Sequence, residues 1–260
     1  MDESQSRFFA RGDPTPDPLF YSWPRLVTHI DDEAIAAVGA LYDELGIDGD
    51  VLDLMSSWVS HFRQRPARLT VLGMNGEELA ANPQASAMVV HDLNADPWLP
   101  FDDDSFDLAL AQLVVHFMKD PVAGIAEMAR VTRPSGIVAA NVWDHARGNG
   151  PVSMFWNAVH TIDPIEEAES TMPGVREGHL AELFRQAGLT PEETTLSVEA
   201  HFESFDDWWV PYTMGVGPAG EYVKKLDDAQ REQLRDAAAR LLPEGPFDLP
   251  AQAWCVSARV

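Results

Sequence analysis

A handful of side chains in this sequence are of types and spacings that do chemistry. His116 closes the apolar run Phe106 to Val115, where a neutral imidazole can take a proton from a hydroxyl or an amine. His61 and His145, the latter following Trp143-Asp144, are further rings that could touch a ligand or serve structure alone. Ser56 and Ser57 follow the apolar run Asp50 to Leu54. If they open a helix, their amides and hydroxyls can hold a carboxylate, or they act as plain N-caps. The eight histidines show no H-E-x-x-H or paired spacing suited to a metal. No G-x-S-x-G elbow is present and the lone Cys255 falls in an expected terminal strand, so neither a metal nor a covalent intermediate is expected. Gly215-x-Gly217-x-x-Gly220 spells a dinucleotide fingerprint but does not follow a strand in a βαβ unit, and is set aside.

The elements that must position these residues alternate. Asp31 to Leu45 has apolar residues at helical spacing, with Asp31 or Asp32 as N-cap. Strands are expected at Asp50 to Leu54, Leu69 to Met74, Ser86 to Val90, Phe106 to Val115 and Ile137 to Val142. Between them fall a helix opening at Ser56 to Arg63, a short helix Glu77 to Ala81, a helix Pro121 to Val131 and the turn Arg133-Pro134-Ser135-Gly136. Further on, a helix Gly178 to Gln186 closes at Gly188, strands follow at Leu196 to Phe202 and Ala253 to Val260, and a charged helix runs Asp227 to Leu242. This order predicts an α/β fold with a doubly wound, mainly parallel sheet covered on both faces. Ligands in such sheets sit outside the carboxyl ends of the strands.

Composition narrows the partners. Eighteen basic against forty-two acidic residues, spread along the chain, give a formal charge of −24 that repels phosphate backbones and anionic lipid heads. Neither nucleic acid nor membrane is expected as a partner, and no apolar run is long enough to span a bilayer. The acidic start Met1-Asp2-Glu3-Ser4-Gln5 lacks the features of a secretory signal, so a cytoplasmic location is expected.

The strand ends carry a resemblance. Val51-Leu52-Asp53 on the first strand, Leu99-Pro100-Phe101 and Ser105-Phe106-Asp107 before the fourth, and Arg130-Val131-Thr132-Arg133-Pro134-Ser135-Gly136 after the next helix stand in family order. Ala187-Gly188-Leu189 ends a later helix that also fits. Over roughly residues 45 to 145 the chain resembles the type 11 subgroup of the class I S-adenosylmethionine-dependent methyltransferases. The resemblance implies S-adenosylmethionine as cofactor, with Asp53, Ser56, Ser57, Asn75, Asp92, Leu93 and Gln112 on the cofactor side and Asp96 as the alternative to Asp92 beside the adenine. It also implies His116 as a base facing the methyl acceptor and His145 as a weaker acceptor contact. Two features depart from the family pattern. Met55, Ser57 and Val59 occupy the three glycine positions of the loop after the first strand, and Asn75 stands where the family places a ribose-binding acid. The loop could still work with its backbone in the β or right-handed region, or the pocket is closed, and Trp58 could plug it or pack outside it.

Outside that region, prolines and aromatics over residues 1–30 predict an arm or lid preceding a domain over 31–260. The aromatic stretch Phe205 to Tyr222, within an insertion over 203–250, is expected to be a loop lining an acceptor pocket through Trp208, Trp209 and Tyr212. The other reading is that these aromatics only anchor the insertion. The functional expectation is methyl transfer to a small, partly apolar molecule. The altered glycine loop keeps a second expectation open: the same fold in a non-catalytic binding role, or in non-methyl chemistry.

Overall fold

The structure, a computed structural model, describes residues 15–28, 30–46, 48–163, 169–215 and 217–260. Phe8, Phe9 and Pro14 of the expected arm and Val216 of the aromatic stretch lie outside the described residues. The short helix α1 (Asp17–Phe20) is followed by α2 (Asp32–Glu44), whose N-cap is Asp31, with its carboxylate accepting from the Ala34 amide. Then come β1 (Asp50–Leu54), β2 (Arg68–Gly73), α3 (Gly76–Ala81), β3 (Ala87–Val90) and β4 (Phe106–Gln112). A 3-10 turn at Val115–Phe117 leads to α4 (Pro121–Val131), β5 (Thr132–Trp143) and α5 (Ser153–Ile162). The chain ends with α6 (His179–Gln186), β6 (Thr190–Phe202), α7 (Phe205–Thr213), α8 (Gly217–Lys225), α9 (Asp228–Ala239) and β7 (Phe247–Arg259).

The seven strands lie in the order β3-β2-β1-β4-β5-β7-β6. Pairings from β3 through β5 are parallel, and β7 runs antiparallel between β5 and β6. Alternation along the buried strands sends Leu52, Ala109 and Val138 to one face, beneath Met128 of α4 and Phe184 of α6. Val51, Leu108 and Ala139 go to the other, beneath Val38 and Tyr42 of α2. The reversal between β1 and β4 puts the ends of β1, β2, β4 and β5 at the edge where such sheets take ligands.

Several segments differ from the sequence expectation. Residues 55–67, read as opening a helix at Ser56, contain none. The Ser56 amide instead donates to the Leu72 carbonyl at 2.8 Å, and buried Phe62 covers the sheet face. Arg133-Pro134-Ser135-Gly136, read as a turn, lies inside β5. It takes up a register shift against β4 between Phe106 and Leu108, with Ser135 at φ 71°. The aromatic stretch read as a loop forms α7 and α8, with Pro211 inside α7. Helix α5 was not anticipated. It packs with α7, α8 and α9 in an aromatic core containing Phe155, Trp156, Trp208, Trp209 and Leu234. That helical cap grows from the ends of β6 and β7, which run past β5: pairing of β7 with β5 stops at Ala253, whereas β6 and β7 stay paired out to Phe202 and Phe247.

Candidate functional site

The loop after β1 is built around Asp53. Its side chain is buried and its Oδ2 accepts from the Ser56 hydroxyl at 2.7 Å and the Ser60 hydroxyl at 2.6 Å. Ser60 Oγ in turn accepts from Asn82 Nδ2 at 2.9 Å, and the same amide reaches the Ser57 carbonyl. Burial raises the Asp53 carboxyl above its ordinary range, against the lowering effect of the two serine hydroxyls. The expected helix N-terminus at Ser56 and Ser57 is therefore absent, and the serines are spent on Asp53 and on Glu78, which Ser57 Oγ meets at 2.6 Å. Met55, at the first glycine position, takes the left-handed conformation at φ 53°. This departs from the expected β or right-handed backbone and costs a non-glycine residue about 1–2 kcal/mol. Trp58 packs half-buried, its indole N–H donating to the Val27 carbonyl.

At the end of β2, Asn75 is buried and caps α3: its Oδ1 accepts from the Glu77 and Glu78 amides. Its Nδ2 donates to the Tyr21 carbonyl at 2.8 Å. At the end of β3, half-buried Asp92 accepts from the Asn94 and Ala95 amides, and half-buried Leu93 packs on the core. Asp96 is exposed, caps Trp98 and takes the His91 ring nitrogen on its carbonyl. Gln112 ends β4 with its Oε1 accepting from the Tyr42 hydroxyl at 3.2 Å. It is followed by Leu113 at φ 55°, whose amide is held by Asn141.

Beyond β4 and β5 lie two buried rings. His116, on the 3-10 turn, and His145, two residues past β5, have centroids 6.4 Å apart. Burial, helped by His145, pushes His116 down to about 3, and burial pushes His145 down to about 4 against the pull of Asp144. Both rings are therefore neutral at pH 7, and each can offer a lone pair rather than a charge. Its Nδ1 is buried and has no hydrogen-bond partner among the described residues. Behind His145, fully buried Asp144 accepts from Asn149 Nδ2 at 2.8 Å and fixes the turn. His61 sits on the β1–β2 loop, half-buried, its Nδ1 also unpartnered among the described residues. Cys255 is buried, its thiol pushed up to about 12 by burial, and so is unreactive.

Trp208 and Trp209 are buried within the cap core, and Tyr212 stacks on Phe155 with ring centroids 4.6 Å apart. Burial raises the Tyr212 hydroxyl. Sequence reasoning missed Glu78, whose carboxylate bridges Ser57 and the Arg25 amide. Asn75-x-x-Glu78 has the spacing of a capping box, a signal that could have singled it out, although Glu78 points away from the cap.

Residues 54–140 match the family of methyltransferase domains, type 11. No curated protein sequence matches the chain. Among solved structures, BH2331 of Bacillus halodurans C-125, a methyltransferase by assignment, superposes with a TM-score of 0.54. It is 14% identical over 86% of this chain and 98% of that one. YcgJ of Bacillus subtilis gives the same TM-score at 13% identity, covering 86% of this chain and 97% of that one. At such identities these likenesses establish the fold. The methyltransferase-domain match over residues 54–140 and the likeness in fold together support an S-adenosylmethionine-dependent methyltransferase. The cofactor fits these residues in part. Asp92 and Leu93, expected beside the adenine, lie just past the end of β3, whereas Asn75 and the Met55–Val59 loop are engaged within the chain itself.

Proposed function

We propose that this methyltransferase modifies a small, partly apolar molecule bound between the His116–His145 pair and the aromatic cap over 203–250. The carrying observation is the pair of buried neutral imidazoles at adjacent strand ends, one with an unpartnered ring nitrogen. When bound, S-adenosylmethionine supplies an electrophilic methyl group. His116 Nδ1 accepts a hydrogen bond from the acceptor hydroxyl or amine and orients it, and His145 bounds the other side. With Trp208 and Trp209 buried in the cap core, these aromatics act by shaping the cap. Half-buried Tyr212, at its margin, is the acceptor contact. The chain's acidity supports a small molecule over nucleic acid.

The test is transfer of labelled methyl from S-adenosylmethionine to a panel of amphipathic alcohols and amines. His116→Ala should lower kcat about 100-fold with little change in KM, as expected for a group acting on the reacting atoms. Label appearing only on macromolecules, or undiminished turnover by His116→Ala, would overturn the assignment.

A further inference from the structure

Residues 21–27 lie against the ends of β1 and β2, fastened by hydrogen bonds to the cofactor side. Asn75 Nδ2 donates to the Tyr21 carbonyl at 2.8 Å, the Arg25 amide donates to Glu78 Oε1 at 2.7 Å, and the Trp58 indole donates to the Val27 carbonyl at 3.0 Å. Because Glu78 also accepts from Ser57, one carboxylate ties this arm to the altered glycine loop. Within the arm, the Arg25 guanidinium lies 4.2 Å from the Phe20 ring centroid and donates to the Phe20 carbonyl, so the segment has a shape of its own.

Two features give this contact a meaning. The arm turns its apolar side chains outward: Leu19, Trp23, Leu26 and Val27 are 63%, 79%, 55% and 56% exposed. Apolar burial of these four side chains therefore contributes little, and the polar clasp adds to the hold of half-buried Phe20 and Tyr21. The clasp also consumes the side chain that the fold presents to the ribose. Asn75 Oδ1 is held by two amides of α3 whether or not the arm is clasped; the clasp takes one Nδ2 hydrogen and sets the Tyr21 carbonyl 2.8 Å from it, in the place a ribose oxygen would take.

We propose that the arm is a releasable latch on the cofactor site: with residues 21–27 clasped, the ribose position is closed, and cofactor binding requires their release. This rests on the reading that S-adenosylmethionine binds at these strand ends. Arm and cofactor then oppose each other, and by linkage each weakens the other's hold.

Two substitutions undo the clasp while sparing the scaffold. Asn75→Asp keeps both helix-capping bonds and loses the donor to Tyr21, also restoring an acid at the ribose position. Trp58→Phe keeps the ring and loses the bond to Val27. In hydrogen–deuterium exchange of the full chain, both variants should exchange faster over 21–27 and unchanged over the sheet. Calorimetry should find S-adenosylhomocysteine bound severalfold tighter by Trp58→Phe and about tenfold or more tighter by Asn75→Asp. In the unmodified protein, S-adenosylhomocysteine should itself speed exchange at 21–27. A ligand that slows that exchange, or variants that free the arm and bind no tighter, would overturn the latch and leave the cofactor site standing. Unchanged exchange over 21–27 in both variants would show that the clasp does not hold the arm. A freed arm with no binding by any form would overturn the cofactor reading, and the gate with it.

Discussion

Asp53 meets two serine hydroxyls with one oxygen while burial raises its carboxyl, so a neutral amide satisfies the same donors without the cost of burying charge. Asp53→Asn is expected to cost under about 1 kcal/mol, and Asp53→Ala, which strands both hydroxyls, about 2–3 kcal/mol. Equilibrium denaturation in urea separates the two. The histidines set an acid limit of their own. With pKa values of about 3 and 4 in the fold against an ordinary 6.5, His116 and His145 are protonated in the unfolded chain before the folded one. Their contribution is complete above pH 6.5 and is lost as pH falls toward 4 and then 3, by up to about 1.4 kcal/mol per pH unit for each ring. A midpoint–pH curve for His116→Gln should flatten in that window. An unchanged slope would mean that the ring is solvated. The same depression implies that kcat should show no limb near pH 6.5 that disappears in His116→Ala.

At the level of elements, the decisive departure is the helix-free connection between β1 and β2. A Cβ added at Gly73 would lie 2.4 Å from the Ser56 carbonyl oxygen, so Gly73→Ala must push the loop off β2. We expect a loss of about 2 kcal/mol or more, with exchange rising first over 55–62. In the cap, Trp208→Ala should cost about 3–5 kcal/mol, concentrated in α5 and α7–α9. Trp208→Phe should cost less, because the indole N–H has no partner among the described residues to lose. These elements also show how far the residues alone could be read. Strand β1 and helix α4 came out with the bounds seen, because Asp50 to Leu54 is a short apolar run and Pro121 to Val131 carries Ile125, Met128 and Ala129 on one side. The Ser56–Ser57 pair carries the same kind of helix-start signal, but local chemistry does not show that the hydroxyls fold back on Asp53. Glycines and prolines between Phe205 and Tyr222 suggested a loop, yet Gly217-Pro218 opens α8 and burial of the aromatics overrides Pro211 inside α7. Of the candidate site, what was legible is the placement of Asp53, Asn75, Asp92 and Gln112 at or just past the ends of β1 to β4. The engagement of Asn75 by Tyr21 was not, because it joins residues 54 apart through a backbone carbonyl that any residue would offer.

For the whole molecule, a charge of −24 makes self-repulsion a standing cost of compactness. Raising sodium chloride from 50 mM to 1 M shortens the Debye length severalfold and is expected to raise the unfolding temperature by several degrees, read by calorimetry at constant pH. A temperature that falls or stays level would show that the arginine–carboxylate pairs, such as Arg133 with Asp107 and Arg130 with Glu127, outweigh the net repulsion. The sheet contributes one more whole-molecule property. Six residue pairs, from Ser197–Gln252 to Phe202–Phe247, project beyond the last residue of β7 paired to β5 and carry the cap at their tip. Such a ribbon is a cantilever: a few degrees of added twist at its root, near Val198 and Ala251, swings everything at its far end through a larger arc. Drift at those root positions would shift the cap against the strand ends without altering any residue in either.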